Sequence, residues 1–472
     1  MLRQRIVPLI VAVALFMEQM DSTVITTALP AIAADIGTSP LALKLAITSY
    51  LLALAIFIPA SGWTADRFGA RTVFRLAIAI FVCGSIACAF AQSLSHFVLA
   101  RFLQGIGGAM MTPVGRLVLL RTVDKRELVE VMAWVTMPGL IGPLIGPPLG
   151  GFITTYFSWQ WIFLINVPIG IAGIAFATRF VPNVRAEEPA RFDFLGMLLA
   201  GLGIGGLAFG LTVASLDYWP PIAVAALIAG GAAASIAYVV HARRSPAPIL
   251  DLSLLAVPTF RASVLGGFIF RVGAGALPFL MPLLLQLGFN MTPFQSGLIT
   301  FSSALAAMTM KAAAPIILRA FGFRSTLIVN ALLSAVSLAA CAAFTPNTPI
   351  AVIVAVLVIG GFFRSLQFTC VNTIAYADID QRRMSRATSL VSVGQQVSMS
   401  TGVATGALLV EITMRWRHGT VVTAADFPLA FVIVAVIAAA AIGVFLRLRP
   451  EAGAELARRT PGPTETADQR MG

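Results

Sequence analysis

Charge is scarce in this 472-residue chain: Asp, Glu, Lys and Arg make up 11% of it, and only 20 residues are acidic. A soluble domain carries about 25% charged residues, so most of this surface is not built to meet water. Histidine occurs three times, at His96, His241 and His418, each near the end of an apolar run. Cysteine occurs four times, at Cys83, Cys88, Cys341 and Cys370, each inside one. Such placement leaves no metal-ligand spacing, no Ser/His/Asp arrangement and no disulfide framework, so an enzyme is the least supported reading. No Gly-x-x-x-x-Gly-Lys-Ser/Thr phosphate loop occurs, which argues against direct use of ATP, and no cofactor is implied. Nor does any stretch resemble a separate soluble domain, which weakens the reading as a non-transporting membrane sensor or scaffold.

What fills the chain instead is apolar sequence. Hydrophobic residues make up 58% and the mean hydropathy is +0.91. Runs of about 20 residues, long enough to cross a bilayer, recur near 7–30, 45–65, 72–92, 97–120, 131–155, 161–181, 194–215, 221–241, 262–286, 294–318, 325–344, 349–374, 388–412 and 428–446. The expected fold is all-α and integral to the membrane, with 14 transmembrane helices, and the polar tail after Arg449 is expected to be disordered. Residues 1–34 have some marks of a signal peptide, but Glu18 and Asp21 interrupt the apolar segment, which reads as an uncleaved first helix.

The net charge of +12 follows topology rather than nucleic-acid binding. With the N-terminus inside, Arg67, Arg71, Arg75, Arg121, Lys125, Arg126, Arg179, Arg185, Arg191, Arg243, Arg244, Arg261, Arg319, Arg324, Arg382, Arg383 and Arg386 fall on one side. The other side receives only Lys44, Arg415 and Arg417. This is the positive-inside bias, and fourteen spans keep both termini cytoplasmic. Attraction to anionic lipid headgroups is a by-product.

Residues 142–151, Gly142-Pro143-Leu144-Ile145-Gly146-Pro147-Pro148-Leu149-Gly150-Gly151, place four glycines and three prolines inside one span. In a soluble helix that would cost several kcal/mol. In a membrane, neighbouring helices can approach the glycines closely and satisfy the freed carbonyls. A helix of this kind suits a protein that changes shape. A loose repeat is also present: Asp66-Arg67-Phe68-Gly69-Ala70-Arg71 and Arg319-Ala320-Phe321-Gly322-Phe323-Arg324 share Phe-Gly-x-Arg, each in a short turn between spans. Their glycines can supply the positive φ of a tight turn. Matching turns at equivalent places suggest two parallel six-helix halves.

The chain resembles the fourteen-helix drug:proton antiporters of the major facilitator superfamily over nearly its whole length, most nearly the multidrug-resistance members of Gram-negative inner membranes. Met20-Asp21-Ser22-Thr23-Val24-Ile25-Thr26-Thr27-Ala28-Leu29-Pro30 is similar to that family's first-helix element, departing at Met20, Ile25, Thr26 and Thr27, with Thr26 in place of an Asn. Residues 62–71, from Gly62 to Arg71, resemble the superfamily's cytoplasmic loop signature, and 101–109, from Arg101 to Ala109, its fourth-helix motif. The Gly142–Gly151 run resembles the fifth-helix antiporter motif, and 159–170, from Trp159 to Gly170, a stretch typical of the fourteen-helix branch. The resemblance implies two six-helix bundles, 1–182 and 261–449, a linker and two-helix insert at 183–260, and a tail at 450–472. It also implies proton-coupled export of amphipathic drugs by alternating access, from a multi-pass protein of the bacterial inner membrane acting as a monomer. Its partners are then a small molecule, protons and lipids, not nucleic acid.

Several residues carry this chemistry. Asp21 lies deep in the first span, where an ionised carboxylate costs at least about 2.5 kcal/mol. Glu18 is three residues earlier on the same face, and the pair, with Arg101, is expected to couple protons. Gly62, Asp66, Arg67, Gly69 and Arg71 form the expected conformational loop; Gly142, Pro143, Gly146, Pro147, Gly150 and Gly151 form the antiporter helix. Arg271, Arg364, Lys311, Gln104, Gln367 and Asn372 are candidates for the substrate cavity, together with Phe57, Trp63, Trp134, Phe268, Phe270, Phe279, Gln286 and Phe362. The second half has three intramembrane cations against one acid, Glu411. That imbalance points either to an endogenous anionic metabolite or metal chelate as substrate, or to pairing with Glu18 and Asp21 across the cavity.

Overall fold

The computed structural model describes residues 2–122, 128–185, 192–214, 219–380 and 383–453. Lys125, Arg126, Arg191, Arg382 and the tail beyond 453 lie outside the described residues, as does the side chain of Trp134.

Long apolar runs with all backbone groups bonded internally are what a bilayer permits, and the described residues follow that rule. Twelve stretches are long and apolar enough to cross a membrane. One of them, Pro293–Ala343, is two helices meeting at Gly322, and a further helix spans Leu128–Tyr156, which makes fourteen. In chain order they are α1 (Ile6–Thr27), α2 (Lys44–Phe68), α3 (Ala70–Ala89), α4 (Leu94–Thr122), α5 (Leu128–Tyr156), α6 (Trp161–Phe180), α7 (Phe194–Val213) and α8 (Pro221–Arg244). Then follow α9 (Pro258–Gly288), α10 and α11 as the arms 293–321 and 323–343, α12 (Ile350–Ile374), α13 (Met384–Trp416) and α14 (Ala424–Phe445).

The repeated Phe-Gly-x-Arg turns have the same backbone device. Gly69 has φ +96° and Gly322 φ +70°, a region that side chains with a Cβ rarely enter. At Gly69 a Cβ would also sit 2.3 Å from the Asn183 side chain, so the turn is pressed against the segment that follows α6.

Packing falls into two groups. In the first, α1 lies on α5, α4 on α2 and α3, and α3 on α6. In the second, α9 packs on α13 and α14, and α12 on the α10–α11 pair. Two seams join them: α5 against α10, and α2 against α13. The α7–α8 hairpin is closed by small residues, a Cβ at Gly206 meeting the Gly231 Cα at 2.7 Å, the kind of contact that draws membrane helices together. Its α7 leans on both α2 and α13 and so lies along their seam.

Candidate functional site

The first half encloses a polar cluster. Glycines set its geometry: a Cβ at Gly105 would lie 2.6 Å from the Ala53 Cβ, and one at Gly107 2.5 Å from the Phe81 nitrogen. Thus α4 sits flush between α2 and α3. Arg101 then reaches Asp21, Nη1 to Oδ2 at 2.7 Å, and donates to Gln104 Oε1 at 2.6 Å. Asp21 Oδ1 accepts from Gln104 Nε2 at 2.8 Å and from Asn166 Nδ2 at 2.9 Å, and both amides also donate to Ser85 Oγ. The Arg101 guanidinium stacks 4.4 Å from the Tyr50 ring centroid. Asp21, Gln104, Ser85 and Asn166 are wholly buried and Arg101 nearly so. A dry charge pair survives only with good geometry and satisfied lone pairs, which the two amides supply.

Glu18, also buried, accepts from Thr112 Oγ1 on α4. Among the described residues no cation bonds to it directly. The Tyr50 hydroxyl, buried and unpartnered, and the Glu18 Cγ both flank Gly108, at 3.0 and 3.7 Å from where its Cβ would be.

Between the halves lies a cavity of about 460 Å³. The first half lines it with Thr23 and Thr26 of α1 and Pro143 and Pro147 of α5. The second contributes Met281 of α9, Ser303 and Lys311 of α10, Arg364, Phe368 and Asn372 of α12, and Met399 of α13. None of its lining residues is acidic. Arg364 donates to Ser303 Oγ at 2.7 Å. Arg271 stands behind the wall, donating to Asn372 Oδ1 at 2.6 Å, its guanidinium 5.7 Å from the Phe368 ring centroid. The expected alternative, cations of the second half paired with Glu18 or Asp21, is not what the side chains do: Asp21 is taken by Arg101, and Arg271 by an amide.

Other expected cavity residues lie elsewhere. Gln104 belongs to the Asp21 cluster, and Gln367 is buried against Asn330 and the Leu327 carbonyl. Phe270 and Phe279 are in the core, Phe57 packs on Phe102, Phe362 on Phe363, and Trp63 is stacked among Phe68, Phe192 and Phe194. Phe268 is half-buried outside the cavity wall. An aromatic run marks a helix, not which of its faces looks inward. The aromatic that does line the cavity is Phe368.

Around the cavity, the glycine-proline run faces two helices. A Cβ at Gly146 would meet the Thr23 Oγ1 at 2.0 Å and one at Gly150 the Val24 carbonyl at 2.3 Å, both on α1. One at Gly151 would lie 2.3 Å from the Pro293 carbonyl of α10. Gly142 approaches Gln19 and Met20 in the same way. At the remote end of the helices the seams are tied: Gln286 Nε2 donates to the Thr27 carbonyl at 3.0 Å, and Phe294 N to Thr155 Oγ1 at 3.1 Å. Lys44 was expected in an outer loop; instead it opens α2, fully buried, with Nζ 3.4 Å from Glu411 Oε2 of α13. Arg415 bonds the other Glu411 oxygen at 3.0 Å. At the opposite end Asp66 pairs with Arg121 at the end of α4, and the Ala70 nitrogen donates to the Val184 carbonyl at 3.0 Å. Arg67 and Arg71 have no salt-bridge partner among the described residues.

Sequence reasoning did not single out Ser85, Asn166, Tyr50 or the Lys44–Glu411 pair. Asn166 and Ser85 carried the usual signal, a polar side chain inside an apolar run. Lys44, beside the Gly37–Pro40 loop, carried none.

Comparison with known proteins agrees with this architecture. Residues 11–194 and 263–468 match the family described as Major Facilitator Superfamily, the gap between them containing the α7–α8 hairpin. Over 405 residues, 85% of each chain, the sequence is 40% identical to the "Putative multidrug resistance protein MdtD" of Salmonella paratyphi B, and 41% identical to that of Salmonella paratyphi A. Among solved structures, the D-xylose-proton symporter aligns with a TM-score of 0.68 at 14% identity, covering 95% of this chain and 98% of that one. A bacterial homologue of the lysosomal transporter Spinster, inward-facing and unoccupied, aligns at 0.67 with 15% identity, covering 98% and 99%. Two packed halves, a cavity between them and a family match on both sides of the inserted hairpin lead to one conclusion: this chain is a multi-pass membrane transporter that belongs to the Major Facilitator Superfamily.

Proposed function

We propose that the chain is a proton-driven antiporter of the bacterial inner membrane, both termini cytoplasmic, exporting small amphipathic molecules by alternating access. The moving units are 1–182 and 261–449, with 183–260 carried between them, and the proton gradient is the only energy source. One observation carries this reading: α1 bears Glu18 and Asp21 and, within two turns, the cavity residues Thr23 and Thr26. Protonating Asp21 would leave the Arg101 charge buried without its counter-ion, a cost of several kcal/mol, relieved only if α1 and α4 move. Movement of α1 reshapes the cavity wall. Glu18, on the same face and reached past Tyr50, is the second proton carrier, and the Asp66–Arg121 pair steadies the ends of α2 and α4 in one state.

The resemblance to multidrug resistance proteins supports drugs as substrates. A second reading, an anionic metabolite or metal chelate, is supported by Lys311 and Arg364 lining a cavity with no acidic wall residue. An uncompensated cation in low dielectric favours anions and repels cations.

Asp21→Asn, which holds the neutral form, is expected to insert and bind substrate yet lose export driven by a pH gradient in liposomes. Wild-type export by that variant would sink the proton-coupled reading. Competition in everted vesicles between a lipophilic cation and a small carboxylate separates the two substrate classes. Preference for the carboxylate, reduced about tenfold in Arg364→Gln as for one lost charge-assisted hydrogen bond, would establish the second.

A further inference from the structure

A basic recess lies apart from the central cavity, at the end of the helices that carries the N-terminus. Its volume is about 850 Å³, and it is walled by the last turn of α8, the loop leading to α9 and the first turn of α13. Two arginines converge there on one carboxylate, and a third lines the same recess. Arg383 donates to Asp251 Oδ2 at 3.1 Å and to Ser253, and Arg386 Nη1 is 3.5 Å from the same Asp251 oxygen. Arg243, exposed, has no hydrogen-bond or ion-pair partner among the described residues. Burial alone would raise the Asp251 carboxyl, but hydrogen bonds from Ser253 and Arg383 and the Arg383 charge outweigh it and hold the group below its usual value. Asp251 therefore stays ionised, and the recess keeps two positive charges in excess.

Apart from Ser245, the rest of the wall is apolar, with Val239 of α8 and Leu252 and Leu255 of the short turn beyond it. On α8 itself, Ile236 is 67% and Val240 45% exposed, an apolar surface leading from the recess along the span. A ligand that fits both features has an anionic head and an apolar body, and meets the protein where the bilayer ends. Guanidinium groups bind phosphate through paired N–H donors, and their weak hydration makes this practicable at an interface. Basic pockets between helices on the cytoplasmic side are suited to lipid headgroups.

We propose that this recess binds the phosphate of an anionic phospholipid, Arg243 and Arg386 holding the phosphate while Arg383 remains on Asp251, with an acyl chain along α8. Free phosphate offers the same anion without the apolar body. The lipid joins the inserted hairpin to the start of α13, because its two arginines come from those two elements.

The test is native mass spectrometry of the full-length protein, incubated with phosphatidylglycerol or phosphatidylcholine of matched acyl chains. Retention of phosphatidylglycerol is expected to exceed that of phosphatidylcholine by about fivefold or more, the scale of one arginine at a membrane surface. The preference disappears in Arg243→Gln/Arg386→Gln and persists in Arg319→Gln, an exposed arginine at the same end of the protein. Asp251→Asn removes the internal competitor and raises retention. Equal retention of both lipids, a preference surviving in the double variant, or weaker binding by Asp251→Asn overturns the proposal. Displacement by millimolar inorganic phosphate overturns it too, assigning the recess to a small soluble anion.

Discussion

At the scale of single residues, the Asp21 cluster has an unusual division of labour. One oxygen takes the charge of Arg101 and the other takes two amides, from α4 and α6, that meet again on Ser85. Asn166 is thus bound to Asp21 through a charged acceptor, for which a hydrogen bond contributes about 1.5–3 kcal/mol. Asn166→Ala is expected to lower the unfolding temperature in detergent clearly. Combined with Asp21→Asn, it is expected to cost less than the two separately, since contacting residues in one network do not add. Additive losses in that double-mutant cycle would mean that Asn166 acts on its own. The cluster was half legible in the sequence. Asp21 and Arg101 stand out because charge is rare in a span, whereas Gln104 was read as a cavity residue because pairing across 83 positions has no local signal.

At the scale of elements, apolar run length and glycine spacing made the fourteen helices legible, and the same spacing marked α5. Its partners were not legible: only the structure places Gly146 on α1 and Gly151 on α10. Faces are the reason. A span surrounded by lipid and protein is apolar all round, so periodicity that would orient a soluble helix is weak here. This is also why the expected aromatics whose side chains are described lie outside the cavity wall, and why polarity alone was an incomplete guide: Lys311, Arg364 and Asn372 line the cavity, whereas Arg271, Gln104 and Gln367 do not. Gly146→Leu drives a side chain into Thr23 and must push α5 off α1. The expected result is a protein that still inserts and binds ligand in detergent but transports at least about tenfold more slowly in vesicles, as a misplaced catalytic or gating element does. Unchanged uptake would reduce the run to ordinary packing.

For the whole molecule, the polar ties between halves among the described residues sit at the end remote from the N-terminus: Lys44–Glu411, Gln286–Thr27 and Phe294–Thr155. Any state open at that end must break them together. Lys44→Met removes the one buried ion pair among these ties, and its loss leaves Glu411 to Arg415 alone. A shift of about 1.4 kcal/mol changes a two-state ratio tenfold, so spin labels at the exposed Ser39 and Thr420 should report a larger share of long distances in the variant. Identical distributions would show that the seal is held elsewhere.

The position of α7 has a consequence for traffic within the bilayer. It covers the seam between α2 and α13 along the flank where the inserted hairpin packs. The hairpin therefore stands between the surrounding lipid and that joint. A solute already dissolved in the membrane has no direct lateral approach to the cavity along that flank.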